Sequence, residues 1–427
     1  MPRAIIAPMS RLPFNSLAYA LREAARIDAA VFAGQSLADN LLGRVDVIAR
    51  PAVQDLVYGS LRAYGRGEFF LAHLLERPLA VEEIRALLLV ALYRLETRPD
   101  AAHTVVDQAV SAAGEILHGK FRALVNAVLR GFLRQKASLT AALAKDPVAS
   151  AQHPDWWLRR LQQAWPEAWS AIVAAGNQAP PMALRVNRRR IDRAAYLSEL
   201  SAAGIAARPV GEDGLALDKP VPVDRLPGFF DGLVSVQDPG AQRAAELLAP
   251  ATGSRVLDAC AAPGGKTAHL LERFDLDLLA LDLKPARCRR IEEGLGRLRL
   301  SARIEVADCV QVQRWWDGVP FDAVLADVPC TASGVVRRNP DAKYLRREDD
   351  IASFAKTQAR IVDALWQVLK PGGRLLYATC SVFPEENSEQ ITRFLARQPG
   401  ARRCHEEQIL PAADHDGFFY SLLEKRL

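Results

Sequence analysis

The stretch Arg255-Val-Leu-Asp-Ala-Cys260-Ala-Ala-Pro-Gly-Gly-Lys266-Thr-Ala-His-Leu-Leu271 decides the fold. Its first four residues read as a short buried strand. Gly264 and Gly265 permit a tight turn, and an amphipathic helix follows. Strand, glycine turn and helix open an α/β unit built on a parallel sheet.

Downstream the same rhythm returns. LDLLALDL, RIEVAD, FDAVLAD and RLLYATC read as further strands, with helical segments between most of them. The helix from Ile351 to Leu369 is expected to stop at Pro371-Gly372-Gly373, and FFYSLLEK reads as a late strand. The sheet is therefore open and mostly parallel. Such sheets bind ligands beyond the carboxyl ends of their strands. Those ends carry Asp258, Asp282, Asp308, Asp327 followed by Pro329-Cys330, and Thr379-Cys380. Acids and thiols thus collect on one edge.

The glycine turn before a helix suits a carboxylate or a phosphate. A Walker loop would need Gly where Cys260 stands, and no GxGxxG is present. Asp282 follows Gly264 by 18 residues, the usual place for an acid that binds ribose hydroxyls. A nucleoside ligand is expected. Cys330 and Cys380 end adjacent strands beside it. A thiolate can add to an electron-poor ring carbon, but at an ordinary pKa near 8.5 little thiolate exists at neutral pH. Some group must lower that pKa or take the proton, and the residues do not reveal which.

The remaining chain frames this region. The protein has 427 residues, room for two or three domains. Its longest apolar run, Ala86 to Tyr93, is far shorter than the roughly 20 residues of a membrane span. The start, MPRAIIAPMSRLPFNS, lacks the pattern of an export signal. A cytoplasmic, reduced protein is expected, without disulfides among its six cysteines. No CxxC pair occurs and the histidines do not cluster, so no metal is expected.

Residues 14 to about 140 read as helices only. Phe121, Leu124, Val125, Val128, Leu129 and Phe132 share one apolar face, while Arg122, Asn126, Arg130 and Arg134 recur on another. The net charge of +5 is uneven: residues 1–145 carry 18 basic and 13 acidic side chains, and the other segments nearly balance. A polyanion partner is compatible with that surplus. Residues 146–233 read as a small α+β connector. Its Arg188-Arg189-Arg190 run is either a solvated face or a nucleic-acid contact. The division is thus 1–145, 146–233 and 234–427.

Three passages carry a resemblance. VLDACAAPGGKTAHLLE, DAVLADVPCTASGVVRRNPDAKY and LLYATCSVFPEENSEQI resemble the RNA cytosine-5 methyltransferase motifs of the NOL1/NOP2/Sun superfamily. The first third resembles the NusB-type RNA-binding bundle, and HPDWWLRRLQ with PPMALRVN matches the connector. The combination resembles the Sun/Fmu type, which acts on small-subunit (16S) ribosomal RNA. The departures are Thr331 for Ser, Tyr344 for Trp and Gly176 for Asn.

The resemblance implies an all-α NusB-like bundle, a small α+β connector and an α/β class I (Rossmann-like) methyltransferase domain. The cofactor it implies is S-adenosylmethionine, held by Cys260, Ala261, Ala262, Pro263, Gly264, Gly265 and Lys266. Asp282 would take the ribose hydroxyls, Asp308 would lie against the adenine, and Asp327 would face cofactor and cytosine. Cys380 would attack carbon 6 of the base, and Cys330 would serve product release. The partner implied is small-subunit ribosomal RNA, at the equivalent of cytosine 967, with the enzyme a monomer. Arg337, Arg338 and Lys343, or the Arg122, Arg130 and Arg134 stripe, are candidate phosphate contacts. Transfer RNA or 23S ribosomal RNA is an alternative substrate. A non-catalytic RNA-binding or antitermination factor, or a dehydrogenase, is disfavoured by Cys380 and Asp282 and by the missing GxGxxG respectively.

Overall fold

The computed structural model describes residues 12–427; most of the start read above as lacking an export signal lies outside them. The chain forms two compact units. Among the described residues, one comprises 12–179 with 336–346, and the other 180–335 with 347–427.

The first unit is helical. Helices α1 (Leu17–Phe32), α2 (Arg50–Arg62), α3 (Arg66–Leu74), α4 (Glu82–Thr97), α5 (Ala102–Glu115) and α6 (Arg122–Leu143) enclose one apolar core. Shorter helices α7 (Pro147–Ala151), α8 (Asp155–Ala164) and α9 (Trp169–Asn177) follow. Ser16 starts α1 by accepting the Tyr19 amide on its hydroxyl. Helix α4 is apolar on nearly every side because α1, α2, α3, α5 and α6 all pack around it. On α6, Val125, Val128, Leu129 and Phe132 are buried, while Arg122, Arg130 and Arg134 are exposed.

Residues 336–346 complete this unit, and here a sequence expectation fails. Arg337 and Lys343 are each only 1% exposed, so neither presents its charge to a phosphate. Lys343 Nζ donates to the carbonyls of Arg62 (2.8 Å) and Gln152 (2.9 Å) and to Asn177 Oδ1 (2.7 Å). Three acceptors match the three hydrogens of an ammonium group. Asp341 accepts from Ser36 Oγ at 2.9 Å and the Leu37 amide at 3.0 Å, and Tyr344 packs on Phe32 and Tyr64. A basic run in sequence gives no hint that its lysine is already held by two backbone carbonyls and an amide oxygen.

The second unit begins with a four-stranded antiparallel sheet. Strands β1 (Ala183–Val186), β2 (Ala207–Val210), β3 (Gly214–Leu217) and β4 (Val234–Val236) are ordered β2-β3-β1-β4, with α10 (Arg193–Ala202) alongside. The larger sheet has seven strands: β5 (Arg255–Asp258), β6 (Asp277–Asp282), β7 (Arg303–Val306), β8 (Phe321–Asp327), β9 (Leu369–Thr379), β10 (Ala401–Ile409) and β11 (Phe418–Lys425). Their order is β10-β11-β9-β8-β5-β6-β7. Strands β5 to β9 are parallel, and β10 and β11 are antiparallel. Helices α11 (Pro239–Leu248), α12 (Gly265–Arg273), α13 (Pro285–Leu298), α14 (Ala342–Leu345, described with the first unit), α15 (Asp349–Val368) and α16 (Ser388–Arg397) complete the chain. An apolar layer covers each face of this sheet. The strand order reverses at β5, which lies between β8 and β6, so a ligand cleft is expected there.

Two details differ from the sequence reading. The Pro371-Gly372-Gly373 stop lies within β9, where pairing with β8 jumps from Leu369–Phe321 to Arg374–Ala323. Gly372, at φ +74°, makes that bulge. Strand β10 was not anticipated; its ARRCHEEQI is polar because it forms an exposed edge.

The arginine run is exposed, and two of its members are paired. Arg188 pairs with Asp213, and Arg189 donates to the Phe274 carbonyl and Asp275, both at 2.7 Å. Arg185 of β1 is more deeply engaged. It makes a bidentate pair with Glu272, 1% exposed on both side chains, and donates to the Gly265 carbonyl at 2.7 Å. The small sheet thus holds the first residue of α12.

Candidate active site

A cleft of about 440 Å³ opens beyond the carboxyl ends of the parallel strands. That volume suits a cofactor-sized ligand. Ala259, Cys260 and Ala262 line it from the loop after β5, Asp282 and Leu283 from the end of β6, and Arg287 from α13. Asp308 and Cys309 follow β7, Asp327 to Cys330 follow β8, and Cys380 follows β9. Thr357, Arg360 and Ile361 of α15 close the other side. The fold therefore brings together Cys260, Ala262, Asp282, Asp308, Asp327, Cys330 and Cys380. Ala261, Pro263, Gly264, Gly265 and Lys266 shape the loop without lining the cleft.

Gly264 has φ +96°, and a Cβ there would stand 3.1–3.2 Å from Ile291. The turn therefore needs glycine, both for its backbone and for its approach to α13. Beneath it Asp258 is fully buried and accepts from Thr267 Oγ1 at 2.7 Å. Burial pushes its carboxyl up to about 7.

Asp282 is buried and firmly held. Its Oδ2 accepts from the Ala262 amide at 3.3 Å and faces Arg287 Nη1 at 3.3 Å; its Oδ1 accepts from the Lys284 amide at 3.2 Å. Arg287 also donates to the Ala262 carbonyl at 2.6 Å. The loop after β5 and the end of β6 are thereby locked together. Asp308 Oδ1 accepts from the Val310 amide at 3.0 Å, which fixes the turn after β7.

Lys266 extends from α12 to Asp327, with Nζ 2.6 Å from Oδ2. Burial opposes the ammonium charge, but Asp327 outweighs it and keeps Lys266 protonated above its ordinary range. Cys380 is near enough to contribute to that effect.

The two cysteines meet. Cys330 Sγ lies 3.4 Å from Cys380 Sγ. The hydrogen bond to Cys380, followed by burial, pushes the Cys330 thiol well above its ordinary range. The residues after each cysteine share one carboxylate. Glu386 accepts from the Thr331 amide (2.9 Å), Thr331 Oγ1 (2.6 Å), Ser381 Oγ and Gln358 Nε2 (3.1 Å). Sequence reasoning does not single out this residue. It also missed Arg287, Arg360 and Cys309. Glu386 is fully buried six residues after Cys380, and a glutamate at that depth reveals itself only through its donors.

The arrangement holds paired thiols, a Lys–Asp pair and a nucleoside-sized cleft on one edge. Among the described residues, no group of three or more His, Cys, Asp or Glu is placed to hold a metal ion. No helix among them is long and apolar enough to cross a membrane.

Known proteins share this plan. Residues 245–424 match the family described as 16S rRNA methyltransferase RsmB/F, residues 153–224 its ferredoxin-like domain, and residues 19–134 the NusB family. Ribosomal RNA small subunit methyltransferase B of Pseudomonas putida is 45% identical over 424 residues, covering 94% of this chain and 97% of that one. The protein of the same name from Vibrio cholerae is 44% identical over 386 residues, covering 88% and 89%. The solved structure of PH0851 shares the fold across 98% of this chain and 100% of its own, at TM-score 0.82 and 24% identity. A methyltransferase homolog protein from Pyrococcus horikoshii is 27% identical at TM-score 0.57, covering 66% of this chain and 98% of that one. The three family matches follow one another along the chain, relatives are 44–45% identical over most of its length, and on that ground the chain belongs to the 16S rRNA methyltransferase RsmB/F family.

Proposed function

We propose that the protein transfers a methyl group from S-adenosylmethionine to carbon 5 of a cytosine in small-subunit ribosomal RNA, at the equivalent of cytosine 967, as a monomer in the cytoplasm. The observation that carries this reading is the 3.4 Å approach of Cys330 and Cys380 in a cleft that also holds Asp282.

The residues present fit the cofactor. Asp282 offers a carboxylate at the strand end suited to ribose hydroxyls. Cys260 to Lys266 supply a close-packed backbone, and Asp308 borders the same space. When bound, S-adenosylmethionine supplies the methyl group. The chain does the rest. Cys380 adds through sulfur to carbon 6 of the base, which makes carbon 5 nucleophilic. Asp327, oriented by Lys266, faces the base and holds it against the thiol. Cys330 then assists in removing the carbon-5 proton or in expelling Cys380. The target must leave its stack, at a cost of a few kcal/mol that is least in a loop.

Residues 1–145 form the RNA-holding bundle, 146–233 the connector and 234–427 the catalytic part. Exposed Arg122, Arg130 and Arg134 on α6 contribute phosphate contacts. Neutralising Arg130 and Arg134 should lower the salt slope of RNA binding by about one per contact. The decisive experiment maps 5-methylcytosine in ribosomal RNA of a strain lacking this protein, then in one restored with wild type or Cys380→Ala. Loss and restoration of one small-subunit site by wild type alone is expected. A site lost from transfer RNA or 23S ribosomal RNA instead would reassign the substrate.

A further inference from the structure

The cleft has an acidic floor and one wall whose cation is uncommitted. Asp282, Asp308 and Asp327 line it from the strand ends, and Arg287 is already tied to Asp282 and to the Ala262 carbonyl. Arg360 lines the opposite wall from α15 and is exposed. Lys356, also exposed, stands four residues earlier on the same helix face. Asp363, three residues beyond Arg360, is taken by Arg397 at 3.2 Å. Among the described residues no carboxylate pairs with Lys356 or Arg360. Like charges four residues apart oppose a helix, so this pair does not serve to hold α15. Other groups do that. Ile361, Val362 and Leu365 are buried against the sheet, and Gln358 donates to the Pro329 carbonyl at 3.0 Å and to Glu386 at 3.1 Å. Pro329 directly precedes Cys330, so α15 is fixed against the loop that carries that thiol.

We propose that Arg360 and Lys356 form a phosphate-binding ridge for the RNA strand whose base enters the cleft. Arg360 holds a phosphate beside the target base, and Lys356 holds the strand one contact further out. The ridge serves the site proposed above and rests on that reading, adding the surface that grips the strand. Its charge continues past the pocket: Arg360 lines the cleft and Lys356 does not. A cofactor ends where its pocket ends, whereas an RNA strand carries a negative charge at every nucleotide and runs on. A base drawn out of its stack leaves its backbone outside the pocket, where this wall meets solvent. The acids of the floor repel that backbone, and cations on the wall offset the repulsion. The planar fork of Arg360 matches two phosphate oxygens, and Lys356 acts as a point charge. Because Gln358 ties the helix to Pro329, the ridge stands at a set place relative to Cys330.

The test measures two affinities of the full-length protein separately. Small-subunit ribosomal RNA transcribed in vitro is titrated across about 50 to 200 mM salt. S-adenosylmethionine is titrated by calorimetry. Arg360→Gln should weaken RNA binding about three- to tenfold and lower the slope of log affinity against log salt by about one. Adding Lys356→Gln should lower the slope by about one more. Arg299→Gln neutralises an exposed arginine at the far end of α13 and should leave the slope unchanged. Affinity for S-adenosylmethionine should match wild type in every variant, which also reports that each is folded. An unchanged slope in the double variant overturns the proposal, and so does an equal loss of slope in Arg299→Gln. A fall in S-adenosylmethionine affinity in Arg360→Gln, with or without weaker RNA binding, also overturns it, because the arginine then serves the cofactor. Wild-type protein that binds no ribosomal RNA would refute the methyltransferase reading itself, a result distinct from wild-type binding with an unchanged slope in the variants.

Discussion

Cys330 and Cys380 face each other at 3.4 Å, each just beyond the carboxyl end of a strand, β8 and β9, that pairs in parallel with the other. Adjacent parallel strands point their ends the same way, so two loops 50 residues apart in sequence deliver sulfur to one point. Such a pair can divide attack and release between two thiols.

That division has a direct signature. Cys380→Ala should abolish methylation and form no protein–RNA adduct. Cys330→Ala should still attack and methylate, then stall as a species that survives denaturing electrophoresis. The stalled species should require S-adenosylmethionine and vanish in the double variant. Trapping in Cys380→Ala and none in Cys330→Ala would exchange the roles.

In the proposed function Asp282 binds the ribose hydroxyls. Removing its charge-assisted hydrogen bonds should cost roughly 1.5–3 kcal/mol, a ten- to hundredfold loss in S-adenosylmethionine affinity. Calorimetric titration of Asp282→Ala against wild type measures it. Unchanged affinity would sink the assignment.

Lys343 is structural, and burial pushes its amine well below the ordinary lysine range. Lys343→Met leaves the Arg62 and Gln152 carbonyls and Asn177 Oδ1 without their donor. Each buried unpaired acceptor costs about 1–3 kcal/mol, partly offset because a charge is no longer buried. Urea unfolding should show the first unit losing a few kcal/mol. Unaltered stability together with a weaker salt dependence of RNA binding would restore the phosphate-contact reading.

His269 makes stability depend on pH. It is 1% exposed and bonds Asp213 at 2.9 Å through Nε2. Burial first, then the charges of Arg185 and Arg273, push its pKa from 6.5 to about 4, against the pull of Asp213. The folded pKa is lower than the unfolded one, so the unfolded chain takes up the proton first. Stability is full above about pH 6.5 and falls as pH drops toward 4, by about 3 kcal/mol. Asp213, whose own pKa is lowered, loses its contribution only below that window. His269→Gln should flatten the curve between pH 6.5 and 4 in denaturant titrations; an unchanged slope refutes the role.

What sequence alone determined was local or periodic. The 255–271 stretch announces strand, turn and helix through apolar runs and glycines, and the acids and cysteines at strand ends follow once the sheet is parallel. Helices α4 and α6 are legible because burial imprints itself on composition and spacing. What only tertiary structure decided were polar partners. Lys343 looks like a surface cation until its acceptors arrive from distant elements, and Arg185 looks like any strand arginine until Glu272 and Gly265 meet it. Glu386 carries no mark of its role in the sequence until Thr331 and Gln358 surround it. Apolar burial repeats along the chain with the period of its element. A buried charge needs only one complementary group, which lies at no set distance in sequence, so no local pattern records it.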